Sequence, residues 1–168
     1  MDALLEDLRQ MTGSWEAPPT RVVMRSLARL PLYPRMRAVV AFRASAWCWR
    51  HQLRPVALWL QARSIRSAGT EIHPAATIGP GLLLFHSVGI VVGHQVVAGE
   101  NLSLYQGVTL GHTGTKDGQP ILGNNVRVGA GAKVLGPVRI GDDVRIGANA
   151  IVLADVGDGQ TVTGVWRG

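Results

Sequence analysis

From Ile72 onward, aliphatic residues return at every sixth position: Ile72, Ile78, Leu84, Ile90, Val96, Leu102 and Val108. After a gap they resume at Leu122, Val128, Val134, Ile140, Ile146 and Val152, and a glycine often follows, as in Ile78-Gly79, Val128-Gly129 and Ile146-Gly147. A period of six fits neither the 3.6-residue period of an α-helix nor the two-residue period of a hairpin, and it is a signature of the parallel β-helix. Each hexapeptide supplies one short strand and one corner. The aliphatic side chain fills a narrow prism, and coils stack through parallel ladders, so stability accumulates between neighbours. The two runs are separated by 14 residues, from Val108 to Leu122. The surplus lies in Gly111-His112-Thr113-Gly114-Thr115-Lys116-Asp117-Gly118-Gln119-Pro120. Such a polar, glycine-rich insertion is expected to leave the solenoid as a loop, where function tends to concentrate.

Before Ile72 the pattern is helical. Apolar residues recur at helical spacing through Val22-Val23-Met24, Leu27 and Leu30, then from Met36 to Trp49 and from Val56 to Ile65. Pro18-Pro19, Pro31 to Pro34 and Pro55 mark the breaks, and Gly69 is placed to end the last helix. The expected organisation is an α-helical region over 1–69 and a β-helix over 70–168, with a loop at 111–120.

Composition agrees with this picture. Gly accounts for 21 residues and the hydrophobic share is 46% against 17% charged, which excludes a disordered chain. Cys48 is the only cysteine, so no intrachain disulfide and no cysteine-based zinc cluster can form, and a reducing, cytoplasmic setting is expected. The acidic start, Met1-Asp2-Ala3-Leu4-Leu5-Glu6-Asp7, does not read as a signal peptide. The most apolar early stretch, Ala38 to Trp49, is interrupted by Arg43 and is too short to span a bilayer, which takes about 20 apolar residues. Residues 1–70 hold eleven arginines against four acids, whereas 71–168 are nearly balanced. This asymmetry fits an anionic partner.

The motifs sharpen the reading. Gly69-Thr70-Glu71-Ile72-His73-Pro74 is followed by Ile78-Gly79-Pro80-Gly81-Leu82, His86 and Gly89-Ile90-Val91-Val92-Gly93. Tyr105-Gln106-Gly107-Val108-Thr109-Leu110-Gly111, Gly129-Ala130-Gly131-Ala132-Lys133-Val134-Leu135-Gly136 and Ile146-Gly147-Ala148-Asn149 come next. In that order and spacing the chain resembles the serine O-acetyltransferases over about 69–165, and more loosely over Phe42 to Leu58, as in acetyltransferase-like proteins of polysaccharide gene clusters. The resemblance implies a mainly β fold, a left-handed parallel β-helix. Handedness does not follow from the repeat, since parallel crossovers are normally right-handed.

The resemblance also implies a chemistry. His86 matches the family's general base, which takes the proton of an acceptor hydroxyl as it attacks the acetyl thioester. Imidazole suits that role because its ordinary pKa lies near working pH. Glu71 matches the carboxylate that orients the base. Acetyl-CoA, in the family, lies along the prism between neighbouring subunits, and the matching positions are Gly111, Gly114, Ala130, Ala132 and Lys133. Small residues there would let the pantetheine arm approach the backbone, whose amides polarise a thioester oxygen. Phe85 stands where the family usually has Asp before the base. Asp117-Gly118-Gln119-Pro120 stands where it has Asp-Arg-His-Pro. Three groups that would hold a zwitterionic amino acid are thus absent. Phe85, Asp117 and Gln119 become the candidate acceptor contacts, and a sugar hydroxyl competes with L-serine as acceptor. The short helical region and the ending Gly164-Val165-Trp166-Arg167-Gly168 imply a homotrimer without docking to cysteine synthase.

Two other classes compete. A γ-type carbonic anhydrase shares the β-helix and holds zinc with three histidines. His73, His86, His94 and His112 are available, and His94 and His112 are spaced to stack about 4.8 Å apart. The ligand pair five residues apart that marks that family is missing, so no metal is expected. A non-catalytic trimeric scaffold would instead use the arginine-rich helices, with Trp47, Trp49 and Trp59, for peripheral contact with an anionic membrane. The competing expectation is that the tryptophans build the helical core while arginines snorkel at its edge. Nothing beyond charge points to nucleic acid.

Overall fold

The structure is a computed structural model that describes residues 2–114 and 117–168, with Asp2 described by its backbone alone. Thr115 and Lys116 of the expected loop lie outside the described residues. Four helices come first: α1 (Asp2–Thr12), α2 (Pro19–Arg29), α3 (Pro34–Arg50) and α4 (Arg54–Ala68). Each of the last three has a proline in its first turn, where the missing N–H costs nothing and the fixed φ suits the helix. No helix is long and apolar enough to cross a membrane among the described residues.

Gly69 ends α4 in the left-handed conformation, φ 66° and ψ 23°, with its N–H on the Ile65 carbonyl. An added Cβ there would lie 3.4 Å from the Val88 Cα, so the neighbour can accept it but the dihedral cannot. Gly69→Ala is therefore expected to lower stability by about 1–2 kcal/mol, read as an earlier urea midpoint with an unchanged m value.

Fifteen short strands follow, from β1 (Thr70–Ile72) to β15 (Val165–Trp166), in parallel sheets of six, four and five strands. They form the three faces of a β-solenoid of the left-handed β-helix acyltransferase type. All thirteen aliphatic residues of the six-residue pattern are buried. One hydrophobic core runs without interruption from Leu8 and Val22 in the helices to Val162 in the last coil.

The register departs from the simple repeat first in the opening coil. Ile72 of β1 faces Val92 of β4 (Ile90–Val92), and it is Thr70 that faces Ile90. Likewise Ile78 faces Ala98 and Leu84 faces Leu104. The first coil therefore carries two residues more than the three hexapeptides the sequence predicts, and they fall between β3 (Leu83–Leu84) and β4. The second departure is larger. Val92 faces Leu110 in β7 (Thr109–Gly111), eighteen positions on, but Ala98 faces Leu122 in β8 (Ile121–Leu122), twenty-four on. Six extra residues thus leave the prism between β7 and β8, within the loop.

The helices are fastened to the first coil by polar contacts. Asp7 of α1 is fully buried and takes a two-pronged contact from Arg43 of α3, at 2.7 and 2.9 Å. It also accepts the Leu82 N–H at 2.8 Å, and Arg43 donates onward to the carbonyls of Ile78 and Gly79. Gln10 donates to Asn101, which opens a side-chain ladder through Asn125 to Asp143 along one corner of the prism. These three rungs hold positive φ of 57–59°, which Asn and Asp tolerate.

The tryptophans do not form the helical core. Trp47 and Trp59 are 52% and 56% exposed, Trp47 packing on His51 and Trp59 under Arg63. Val22, Met36, Val39, Phe42 and Ala46 fill the interior instead, because the helices bury their small and aliphatic faces against the first coil.

Candidate active site

The two extra residues of the first coil enlarge the corner that carries His86. Both neighbours of His86 are anchored while the imidazole itself is exposed. Ser87 is buried, and its carbonyl accepts the Thr70 hydroxyl at 2.6 Å. Phe85 stacks on Tyr105 of the next coil, rings 4.2 Å apart and 11° from parallel, while its carbonyl accepts Arg35 Nη1 at 3.3 Å. The imidazole opens on a cleft of about 390 Å³ whose walls include Tyr33, Arg35, Phe85, Ser87 and Val88. Arg35 and Tyr33 were not singled out in the sequence, where they sit in a proline break with no periodicity around them.

Glu71 is exposed on β1, facing Val91 of β4. No hydrogen bond or ion pair joins it to His86, although the backbones are close: Thr70, just before Glu71, holds the carbonyl just after His86. Glu71 acts electrostatically on His73. Burial holds the His73 imidazole below its ordinary pKa, nearby His94 pushes the same way, and Glu71 opposes both. His73 Nδ1 accepts the Ala75 N–H at 3.0 Å, and its ring packs edge-on against Trp49 and His94 at 5.3 and 5.6 Å. The rings in contact are thus His73 and His94, because the first coil spans twenty residues and brings His94 beside His73, while His94 and His112 keep their eighteen-residue register. His112 turns instead to accept the Gly114 N–H at 2.9 Å. Among the described residues no three His, Cys, Asp or Glu side chains converge as a metal site.

The loop residues gather at another corner. His94, Gln95, His112, Gly114, Asp117 and Gln119 border a cleft of about 550 Å³. Asp117 is exposed there. Gln119 is 6% exposed, with its carbonyl on the Gln95 N–H at 3.0 Å and its amide 3.5 Å from His94 Nδ1. Its side chain anchors the loop base. The Ala132 methyl is fully buried, and its N–H and C=O bond to Gly129 and Thr109. Ala130 is half-buried at a corner, and the Lys133 ammonium is bonded to the Gly107 carbonyl. Gly111 accepts the Gly136 N–H at 2.8 Å. Beside this pair a groove of about 280 Å³ runs between Thr113, Leu135, Gly136, Pro137, Leu153 and Asp155.

His86 and the loop thus stand at opposite edges of the six-stranded face, and a single chain does not bring them together.

Residues 119–154 match the family Bacterial transferase hexapeptide (six repeats). A serine acetyltransferase of Synechococcus elongatus is 44% identical over 135 residues, covering 79% of this chain and 55% of that protein. Soybean serine acetyltransferase complexed with serine superposes with a TM-score of 0.83 at 37% identity, over 96% of this chain and 65% of that one. Serine acetyltransferase of Brucella abortus in complex with coenzyme A gives a TM-score of 0.84 at 34% identity, over 96% and 64%. The chain therefore spans between about half and two thirds of the length of these relatives. A solenoid and helices that superpose almost throughout, together with the matching hexapeptides, show that the chain belongs to the serine O-acetyltransferase family.

Proposed function

We propose that this protein is an acetyl-CoA-dependent O-acetyltransferase that works as a homotrimer with His86 as general base. The observation that carries the reading is the enlarged first-coil corner, which presents to a cleft an imidazole with no hydrogen-bonded partner among the described residues. Relatives in complex with serine and with coenzyme A support the two substrates. The donor supplies an activated acyl thioester. His86 accepts the proton of the acceptor hydroxyl as its oxygen attacks the acyl carbon, then returns it to the departing sulfur, so the base is regenerated. Glu71 orients the ring through the nitrogen that does not take the proton, a short side-chain swing across the Thr70–Ser87 contact. Gly111, Gly114, Ala130 and Lys133 line the donor's path.

The separation of the parts supports the trimer. Three prisms packed side by side bring the His86 corner of one chain against the loop of the next. A cytoplasmic setting belongs to the same proposal and rests on the single, unbonded Cys48. The acceptor is L-serine or another small hydroxyl compound such as a sugar. Purified protein incubated with acetyl-CoA is expected to release thiol only when such an acceptor is present, and to elute as a trimer. Thiol release that no hydroxyl acceptor stimulates would sink the reading.

A further inference from the structure

We propose that the His86 cleft takes a hydroxyl acceptor bearing a carboxylate but no neighbouring ammonium, such as a sugar acid or hydroxy acid, and that Arg35 reads the carboxylate. This rests on acetyl transfer at His86. The cleft contains one cation and, among the described residues, no Asp or Glu: its walls are Tyr33, Arg35, Phe85, His86, Ser87 and Val88 together with a proline. Arg35 reaches it from the first turn of α3 and donates Nη1 to the carbonyl of Phe85, the residue before the base. That bond is long, at 3.3 Å, and among the described residues it is the only hydrogen bond of the side chain.

Arg35 Nε is buried and has no partner. A buried donor without an acceptor is costly, and a guanidinium offering Nε and an outer nitrogen side by side matches the two oxygens of a carboxylate. A small turn of the side chain away from its long bond presents that fork to the cleft.

Phe85 decides against the zwitterion. An amino-acid acceptor needs an anion for its ammonium, and the position beside the base is an aromatic ring stacked on Tyr105. Against the cleft walls of its own chain the ammonium would meet Arg35 and apolar carbon. Phe85, Tyr33 and Val88 suit the carbon skeleton of an acid whose charge is gathered at one end.

The test measures thiol release at saturating acetyl-CoA with matched acceptors: galacturonate against galactose, D-glycerate against glycerol, and L-serine. Wild type is expected to prefer each acid over its neutral partner by about tenfold or more in kcat/KM. R35Q should raise KM for the acids by roughly thirtyfold and collapse that preference, while R35K, which keeps charge but loses the fork, retains part of it. Phe85→Asp should shift preference toward L-serine.

Equal use of acid and neutral acceptors would overturn the proposal. So would an R35Q variant that weakens both members of a pair alike, or one that raises KM for acetyl-CoA instead. Failure of acetyl transfer itself looks different: no release with any acceptor, or release that survives His86→Ala. Calorimetric binding of galacturonate to the coenzyme A-loaded protein, present in wild type and lost in R35Q, would uphold the carboxylate site even then, and its absence would remove it.

Discussion

His86→Ala is expected to lower kcat/KM for acetyl transfer by roughly a hundred- to ten-thousandfold, the range a positioned general base supplies. The loss should fall in kcat, because the proton is moved only in the transition state, while KM for acetyl-CoA changes little. Thermal stability should stay within about 0.5 kcal/mol of wild type, since an exposed side chain away from caps and cores contributes little. His86 fits that description: its ring is exposed, and the corner is held by Thr70, Tyr105 and Arg35 acting on its neighbours. A variant that kept a tenth of the activity would remove the imidazole from the chemistry. One that lost activity only by unfolding would show it as a structural residue.

The second large effect lies away from the cleft. Asp7→Ala is expected to cost about 3–5 kcal/mol in urea unfolding, because removing one member of a buried pair leaves the other uncompensated. Arg43 would lose both prongs and the Leu82 N–H its acceptor, inside a core where Asp7 is fully buried. The intact pair need not be worth as much. Burial pushes the Asp7 carboxyl up, against the pull of Arg43 and of the N–H groups around it. Replacing both members by apolar residues of similar size, Asp7→Leu with Arg43→Met, should therefore recover most of what Asp7→Ala loses. A double variant as unstable as the single would mean that the two contacts of Arg43 to Ile78 and Gly79 hold the junction by themselves.

These two residues also mark the boundary of what could be read beforehand. The solenoid was legible because its core is one-dimensional: a repeated aliphatic at six-residue spacing has only one use. The slip at the His86 corner was not, because each hexapeptide buries two positions two residues apart, such as Ile90 and Val92 or Leu102 and Leu104. A two-residue insertion moves the pattern from one buried column to the other and leaves the spacing of apolar letters intact. His86 was found through the resemblance, and the reason it stands proud of the prism came only from the register. Arg43 was read as a charge breaking an apolar stretch. Its partner lies 36 positions away in a helix with no distinguishing motif, so the buried pair had no local signal. The burial of Gln119 and Ala132 was not legible for a related reason. In a prism three residues wide, a one-position change turns a side chain from solvent to core, and the motif does not show which way each letter points.

The helical cover on the first coil has a consequence for how copies can meet. A parallel coil with nothing stacked on it offers unpaired backbone groups, a template on which a second solenoid could continue the ladders. Here Arg43 takes the carbonyls of Ile78 and Gly79, Asp7 takes the Leu82 N–H, and Gln10 takes the top rung of the asparagine ladder. End-to-end growth is closed at this pole, so filament formation is blocked there by side chains that no open coil could displace without unfolding α1 and α3. A copy approaching this pole would have to displace those side chains first, which leaves the flanks of the prism as the easier surface for the proposed trimer.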